Sequence, residues 1–367
     1  MLSMKPSGIA ILGAEPRVRI MLDLYGLHGC PEIVIADRHP HRWGQMLAGH
    51  EVRDVASVDP SSVTHVVIAE PPIRFTYDEA FGALATAGID AASCVTIYEP
   101  GKIDAILAPH APLDAEARMA LGYRAIYHDV FERAGYGYGM MLAAEEARRM
   151  GLSKLVALEF GVWFGAGLKN LCEIARFLEQ TQGIRFEIYG FDTGQGLPEM
   201  KDYRDHPDLW QQGTMRMPDF AALAAELPVN CHLVIGDVAT TVPQFLREHA
   251  STETPVGFVS LDVDLYTSSV SALKIFDAEA EQLLPAVIVW VDDAYINVMQ
   301  NSFCGEALAI EDFNNSHPLR KIDHKIVRGD HPPRLWHHCY YFAHIFDHPV
   351  RMGLKPARFD GFFHTIY

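Results

Sequence analysis

Two apolar segments of this 367-residue chain each end in closely spaced aspartates. The first reads GFVSLDVDLYTSS and carries Asp262 and Asp264, and the second reads VIVWVDDAY and carries Asp292 and Asp293. Both read as buried strands, and in a parallel α/β sheet the carboxyl ends of the strands form the edge at which ligands bind. We therefore predict that the four acids form a metal-binding and catalytic site at that edge.

The carboxylate oxygens of these acids determine the chemistry that they could carry out. Asp262 and Asp264 are two residues apart, so on a strand both would point to one side. Three convergent carboxylates suit a hard, oxygen-preferring cation such as Mg²⁺. An aspartate with an ordinary pKa of about 4 is a poor base for a sugar hydroxyl, but a divalent cation would stabilise the developing alkoxide while a nearby carboxylate takes the proton. In the alternative interpretation, Asp264 or Asp292 caps a following helix and binds nothing.

A glycine-rich turn precedes the acidic segments. The run KLVALEFGVWFGAGLKN predicts a strand over residues 154–160 that continues through Gly161 and Gly165 into a helix, and glycines there let a ligand lie against the backbone. Asp192 and Asp237 end the next two predicted strands, where an acid can accept ribose hydroxyls. The pattern predicts an adenosyl cofactor; in the alternative, the glycines serve helix–strand packing and the acids cap helices.

The order of the predicted elements indicates two α/β units. From residue 154 onward, strands alternate with helices and the chain closes in an antiparallel pair, which predicts a seven-stranded Rossmann-like sheet. Four short strands alternating with helices over residues 1–108 predict a smaller Rossmann-like α/β domain. We expect residues 109–150 to be a linker and lead-in helix, 151–345 the larger domain, and 346–367 a C-terminal tail.

The first turn of the smaller domain argues against a dinucleotide. Its first predicted strand, SGIAILG, is followed by AEPR and lacks the GxGxxG pattern that brings a backbone close to a pyrophosphate. The layout of this segment resembles the nucleotide-sugar-binding domain of bacterial sugar acyltransferases of the PglD/NeuD type. A structural or dimerising role is the alternative.

Three motifs of the larger domain together resemble one family. FDTGQGLP, LDVDLYTSS and VIVWVDDAY are similar to the FDSFEGLP, LDGDLYxST and VIIDDY segments of the macrocin O-methyltransferase (TylF-like) family, over about residues 130–320. Members of that family are class I, S-adenosylmethionine-dependent and magnesium-dependent sugar O-methyltransferases. The resemblance implies S-adenosyl-L-methionine and Mg²⁺ as cofactors, and a sugar or glycosylated natural product as the methyl acceptor.

The resemblance also implies roles for individual residues. Asp262, Asp292 and Asp293 match the family's metal-binding acids. Asp264 matches its proposed general base. The residues that match its S-adenosylmethionine contacts are Glu159, Gly161 and Asp192.

Composition restricts the partners. A formal net charge of −17 argues against general binding to nucleic acid or anionic membranes. The six cysteines have no CxxC spacing, which indicates free thiols in a reducing compartment. No signal-peptide pattern is present, and no apolar run approaches the about 20 residues of a membrane span. We expect a cytoplasmic homo-oligomer that binds a small-molecule acceptor.

Two further segments carry polar or aromatic groups. The polar stretch 199–220 is predicted to form a lid over the acceptor, in which Tyr203, His206 and Trp210 either contact a sugar or pack the lid. Eight histidines occur from residue 317 onward without the HExxH arrangement of a zinc protease helix. The adjacent pair in LWHHCYY is expected on a strand, and ordinary packing is the favoured interpretation of these histidines.

Overall fold

A computed structural model of the protein describes residues 8–13, 17–69, 74–96, 106–107, 126, 131–294, 299–324 and 335–354. The chain divides into two compact units, Met1–Ala134 and Gly135–Tyr367. Among the residues that the structure describes, none of the helices combines the length and the apolar character needed to cross a membrane.

The first unit contains a six-stranded α/β sheet. Its strands are β1 (Gly8–Leu12), β2 (Ile33–Asp37), β3 (Met46–Leu47), β4 (His50–Asp54), β5 (Val63–Ile68) and β6 (Cys94–Thr96), and its longer helices are α1 (Arg17–Tyr25) and α2 (Arg74–Thr86). The sheet order is β3-β4-β2-β1-β5-β6, and only the β3–β4 pair is antiparallel.

The core of the first unit lies on both faces of this sheet. Val18 and Leu22 of α1 belong to one buried apolar cluster, and Ala80 and Leu84 of α2 belong to another. Helices on both faces of a largely parallel sheet are the predicted Rossmann-like arrangement, which is confirmed. The β3–β4 hairpin was not predicted, because its strands are short and partly polar.

The second unit contains a seven-stranded sheet. Its strands are β7 (Lys154–Phe160), β8 (Arg185–Asp192), β9 (Cys231–Ile235), β10 (Val256–Leu261), β11 (Leu283–Val291), β12 (Arg320–His324) and β13 (Tyr340–Ile345). Its helices of seven residues or more are α3 (Ala134–Arg149), α4 (Ala166–Gln182), α5 (Phe220–Glu226), α6 (Val238–Glu248), α7 (Tyr266–Ala272) and α8 (Gly305–Ser316).

The strand order of this sheet is β12-β13-β11-β10-β7-β8-β9. β13 is antiparallel to both neighbours, and all other neighbouring strands are parallel. All six residues of β10 are buried, as expected for a central parallel strand covered on both faces. This is the predicted seven-stranded class I methyltransferase topology, and its order reverses between β7 and β10, where open α/β sheets bind ligands.

One strand begins later than predicted. His337 and His338 lie in a short 3₁₀ helix, Leu335–Cys339, and β13 starts at Tyr340. The expectation of a strand at the two histidines was wrong, because within the described ranges the pairing of β13 with β11 and β12 begins only at Tyr340 and Tyr341. The neighbouring strand β11 ends at Val291, and its last pair with β13 joins Trp290 to Tyr340.

Candidate active site

The tips of β10 and β11 bring three aspartates together at the carboxyl edge of the second sheet. Leu261 and Val291 are paired in register, so the residues that follow them lie side by side. Asp262, Asp292 and Asp293 are half-buried, and each offers a carboxylate oxygen within 4.8 Å of those of the other two. A cluster of oxygens at this separation suits a divalent cation.

A tight turn places Asp264 next to this cluster. β10 ends at Leu261, so the prediction that Asp262 and Asp264 lie on a strand with both side chains on one side was wrong. The Leu265 N–H donates to the Val263 carbonyl at 2.5 Å, and Asp264 between them has φ +61°. A non-glycine residue rarely adopts this backbone conformation. Such strain persists where the surrounding structure enforces it, and it clusters at functional sites.

The acids shift one another's pKa values. Burial raises the pKa of Asp264 to about 10, with contributions from its hydrogen bond with Asp293 and from the charges of the neighbouring aspartates. Burial also raises the pKa of Asp293, although hydrogen bonds with Asp264 and Gln300 oppose that shift. Carboxylates this close cannot all be ionised without a compensating charge. A divalent cation is such a charge, so the donor set fits one.

A fifth carboxylate, Glu306, contacts the turns that carry the aspartates. It lies in the first turn of α8 and is only 1% exposed. The Val263 N–H donates to its Oε1 at 3.1 Å, and the Asp293 N–H donates to its Oε2 at 2.9 Å. Burial, followed by the charge of Asp293, raises its pKa well above the ordinary range. Sequence reasoning did not select Glu306, although an acid at the start of the helix that follows the DDAY segment was a usable signal.

The glycine-rich turn packs against the acidic turn. Gly161 has φ +89°, and a Cβ there would lie 1.7 Å from the carbonyl oxygen of Asp262, so a side chain cannot be accommodated. Gly165 precedes α4 with φ +86°, and a Cβ there would lie 2.4 Å from Leu223 of α5. Both glycines therefore have packing reasons for their presence. Their contact with a cofactor stays a prediction.

Asp192 braces the glycine-rich turn. Its Oδ2 accepts the N–H groups of Val162 and Trp163, both at 2.9 Å, and its Oδ1 accepts the Gly194 N–H at 2.6 Å. A carboxylate has about four acceptor positions, so Asp192, which is half-buried, retains capacity for a ligand hydroxyl.

The other two predicted cofactor acids differ in accessibility. Asp237 is exposed and caps α6, accepting the Ala239 N–H at 2.8 Å. Glu159 is 1% exposed in β7 and accepts the Tyr136 hydroxyl at 3.2 Å. Tyr136 is itself fully buried and also hydrogen-bonds Ser260 at 2.6 Å. The helix-capping alternative thus describes a role that Asp237 has. The predicted contact of Glu159 with the cofactor stays a prediction.

Part of the polar stretch 199–220 is fixed to the site. The fully buried Asp205 accepts the N–H groups of Lys201 at 2.9 Å and Thr267 at 2.8 Å, which ties the stretch to the start of α7. His206 is buried and packs against Gly305, next to the acids. Of the remaining two predicted contact residues, Tyr203 is 68% exposed and Trp210 is half-buried. The lid role stays a prediction.

This chain is similar to several solved structures of methyltransferases. No family model matches the chain, and no curated protein matches it. The calicheamicin methyltransferase CalS11 is 21% identical, with a TM-score of 0.40, and the match covers 68% of this chain and 91% of that one. The O-methyltransferase NovP is 15% identical, with a TM-score of 0.40 and coverage of 62% and 98%. The methyltransferase FkbM from Methylobacillus flagellatus KT is 13% identical, with a TM-score of 0.23 and coverage of 92% and 90%. The fold assignment rests on the strand order and direction described above.

Proposed function

We propose that the chain is an S-adenosylmethionine-dependent, divalent-metal-dependent O-methyltransferase that acts on a hydroxyl of a sugar or a glycosylated small molecule. The observation that carries the proposal is the set of three carboxylate oxygens within 4.8 Å of one another, beside the buried Asp264. They follow β10 and β11, next to the point where the strand order reverses. Ligands of open α/β sheets bind at that point.

The metal ligands in this proposal are Asp262, Asp292 and Asp293, which would hold Mg²⁺ or a similar cation through carboxylate oxygens. When bound, the cation supplies positive charge that stabilises a developing alkoxide. With that positive charge in place the Asp264 carboxylate can be ionised, and it would then take the proton of the acceptor hydroxyl at a carboxylate oxygen, as a general base. Its enforced backbone conformation supports this role, because the oxygen is held in place before substrate arrives.

The methyl donor would lie over the glycine-rich turn. Asp192 and Asp237 have acceptor capacity for the hydroxyl and amino groups of an adenosine, and Gly161 and Gly165 shape the turn beneath it. Bound S-adenosylmethionine supplies an electrophilic methyl group. Glu159 is included in the proposed cofactor site, and in the structure it is buried in β7 and hydrogen-bonded to Tyr136.

A sugar acceptor is supported by chemistry and by motif resemblance. Two neighbouring sugar oxygens suit chelation by a cation at the three aspartates, which would orient one hydroxyl toward the methyl group. The LDVDLYTSS and VIVWVDDAY segments are similar to those of a sugar O-methyltransferase family. The acidic cluster includes Asp262 of the first segment and Asp292 and Asp293 of the second.

The testing experiment measures methyl transfer by the purified full-length chain from labelled S-adenosylmethionine to a panel of sugar nucleotides, glycosylated macrolides and phenols. We expect transfer to a sugar-bearing acceptor that EDTA abolishes and Mg²⁺ restores. EDTA-insensitive transfer to a phenol or small acid would instead indicate a metal-independent small-molecule methyltransferase. Calorimetry that shows no S-adenosylmethionine binding but tight nucleotide-sugar binding would indicate a non-catalytic protein of a glycan pathway.

A further inference from the structure

Glu306 joins the two acidic turns at a place where the sheet no longer does so. Among the residues that the structure describes, the last backbone hydrogen bond between the ends of β10 and β11 runs from the Asp292 N–H to the Leu261 carbonyl, at 3.0 Å. Beyond it, the Glu306 carboxylate accepts the N–H of Val263 at 3.1 Å and that of Asp293 at 2.9 Å. One planar group therefore connects the backbone of both turns.

The positions of the two amides matter for the site. Val263 lies between a predicted metal ligand and the predicted base, and Asp293 is itself a predicted ligand. Holding these amides in place also holds the backbone from which the clustered aspartate side chains extend. Glu306 is 1% exposed, and α8 carries it, so its carboxylate is held by helix packing rather than by solvent.

We infer that Glu306 is a positioning residue that holds the two acidic turns at the separation a divalent cation requires. This inference rests on the proposed function. Glu306 contacts backbone amides and would not itself bind the metal. Groups that orient metal ligands from outside the coordination sphere change metal affinity or activity by about 10- to 100-fold when they are replaced.

The test is a titration of Mn²⁺ into the metal-free full-length protein, followed by calorimetry, without substrate or turnover. Glu306→Gln keeps the size of the side chain but replaces one acceptor oxygen with a donor nitrogen. Glu306→Asp keeps the charge and both acceptors on a side chain that is one methylene shorter. Glu311→Gln makes the same charge change at an exposed position of the same helix and is the control. Binding of S-adenosylhomocysteine reports on a different part of the sheet edge.

We expect both Glu306 variants to bind Mn²⁺ about 10- to 100-fold more weakly than the wild type, with S-adenosylhomocysteine affinity and the Glu311→Gln control unchanged. Wild-type Mn²⁺ affinity in Glu306→Gln would overturn the inference and leave the proposed function intact. Wild-type Mn²⁺ affinity in Glu306→Asp, with weak affinity in Glu306→Gln, would also overturn the inference. Such a result would show that the charge of residue 306 matters and that its position does not. An equal loss of S-adenosylhomocysteine affinity in the Glu306 variants would indicate that the fold is disrupted generally, and it would overturn the inference. If the wild type bound no Mn²⁺, the proposed function would fail first and the inference with it.

Discussion

Asp264 has a backbone conformation that residues with side chains seldom adopt, although aspartate adopts it more often than most. Its φ of +61° is in the region where L-residues with side chains are strained by about 1–2 kcal/mol. The residue is nevertheless 5% exposed and hydrogen-bonded with Asp293, so the surrounding structure holds it there. Asp264, which lies beside the three clustered aspartates, is therefore the residue for which we propose a role in proton transfer.

Replacing Asp264 separates proton transfer from binding. Asp264→Asn keeps the shape of the side chain but removes the base, so we expect turnover to fall by about 10²- to 10⁴-fold while S-adenosylhomocysteine binds normally. Asp292→Asn should first weaken metal binding, seen as a higher Mg²⁺ concentration for half-maximal activity. The exposed Asp323→Asn is the control and should match the wild type in both assays. Full activity in both site variants would show that the site assignment is wrong.

Gly161 should not tolerate a side chain. A Cβ at this position would lie 1.7 Å from the Asp262 carbonyl oxygen. The backbone here also has φ +89°, which residues with side chains rarely adopt. Gly183 has a similar φ of +71° with nothing within 4 Å, so Gly183→Ala measures the backbone strain alone, about 1–2 kcal/mol. We expect Gly161→Ala to lose more unfolding free energy than Gly183→Ala in urea denaturation, and to lose Mn²⁺ affinity as well. Equal losses would show that the close approach of the two turns is unimportant.

Sequence reasoning found the four aspartates but not the carboxylate that joins their turns. The aspartates follow apolar strand-like runs, and that local pattern predicts a shared sheet edge. Glu306 is 43 residues from Val263, and its contacts arise only when α8 packs beneath the turns. The conformation of Asp264 was also beyond local reasoning, because the pattern does not show where β10 ends.

At the scale of elements, the strands of the second unit were predicted well. β10 and β11 are nearly continuous apolar runs, as buried parallel strands require, and this composition is visible in the sequence. The start of β13 and the β3–β4 hairpin were missed. The start of β13 depends on pairing with β11, which is distant in sequence and leaves little local signal. β3 and β4 are neighbours in sequence, but their strands are short and partly polar.

Asp205 connects the polar stretch 199–220 to α7. Asp205→Ala removes the acceptor of the Lys201 and Thr267 N–H groups, and we expect a loss of about 1–3 kcal/mol of unfolding free energy, measured by urea denaturation. If the stretch covers the acceptor, the KM for acceptor should also rise. Glu199→Ala, which replaces an exposed acid of the same stretch, is the control and should change both quantities little. An Asp205→Ala variant as stable as the wild type would contradict this connection.

At the scale of the whole molecule, the acidic cluster adds to a chain that already carries a formal net charge of −17. The cluster concentrates several carboxylates where burial raises the pKa values of Asp264, Asp293 and Glu306. Removing that repulsion should stabilise the folded state. A ligand that binds only this state supplies such stabilisation in proportion to the logarithm of its concentration.

Divalent cations should therefore raise the thermal stability of the protein. At a Mg²⁺ concentration one hundred times the Kd, we expect a gain of about 2.7 kcal/mol, which EDTA reverses. KCl at equal ionic strength is the control for screening, and Asp292→Asn is the control for the site. An equal gain with KCl, or an undiminished gain in Asp292→Asn, would show that the cation acts elsewhere.

The most direct measurement of the central claim is the anomalous scattering of Mn²⁺ in crystals of the full-length protein grown with S-adenosylhomocysteine. The proposed site predicts a peak within metal–oxygen bonding distance of carboxylate oxygens from Asp262, Asp292 and Asp293, with S-adenosylhomocysteine over the glycine-rich turn. Asp264 should lie beside the metal without being required to bind it. A crystal with S-adenosylhomocysteine bound and no Mn²⁺ peak among these three aspartates would contradict the account.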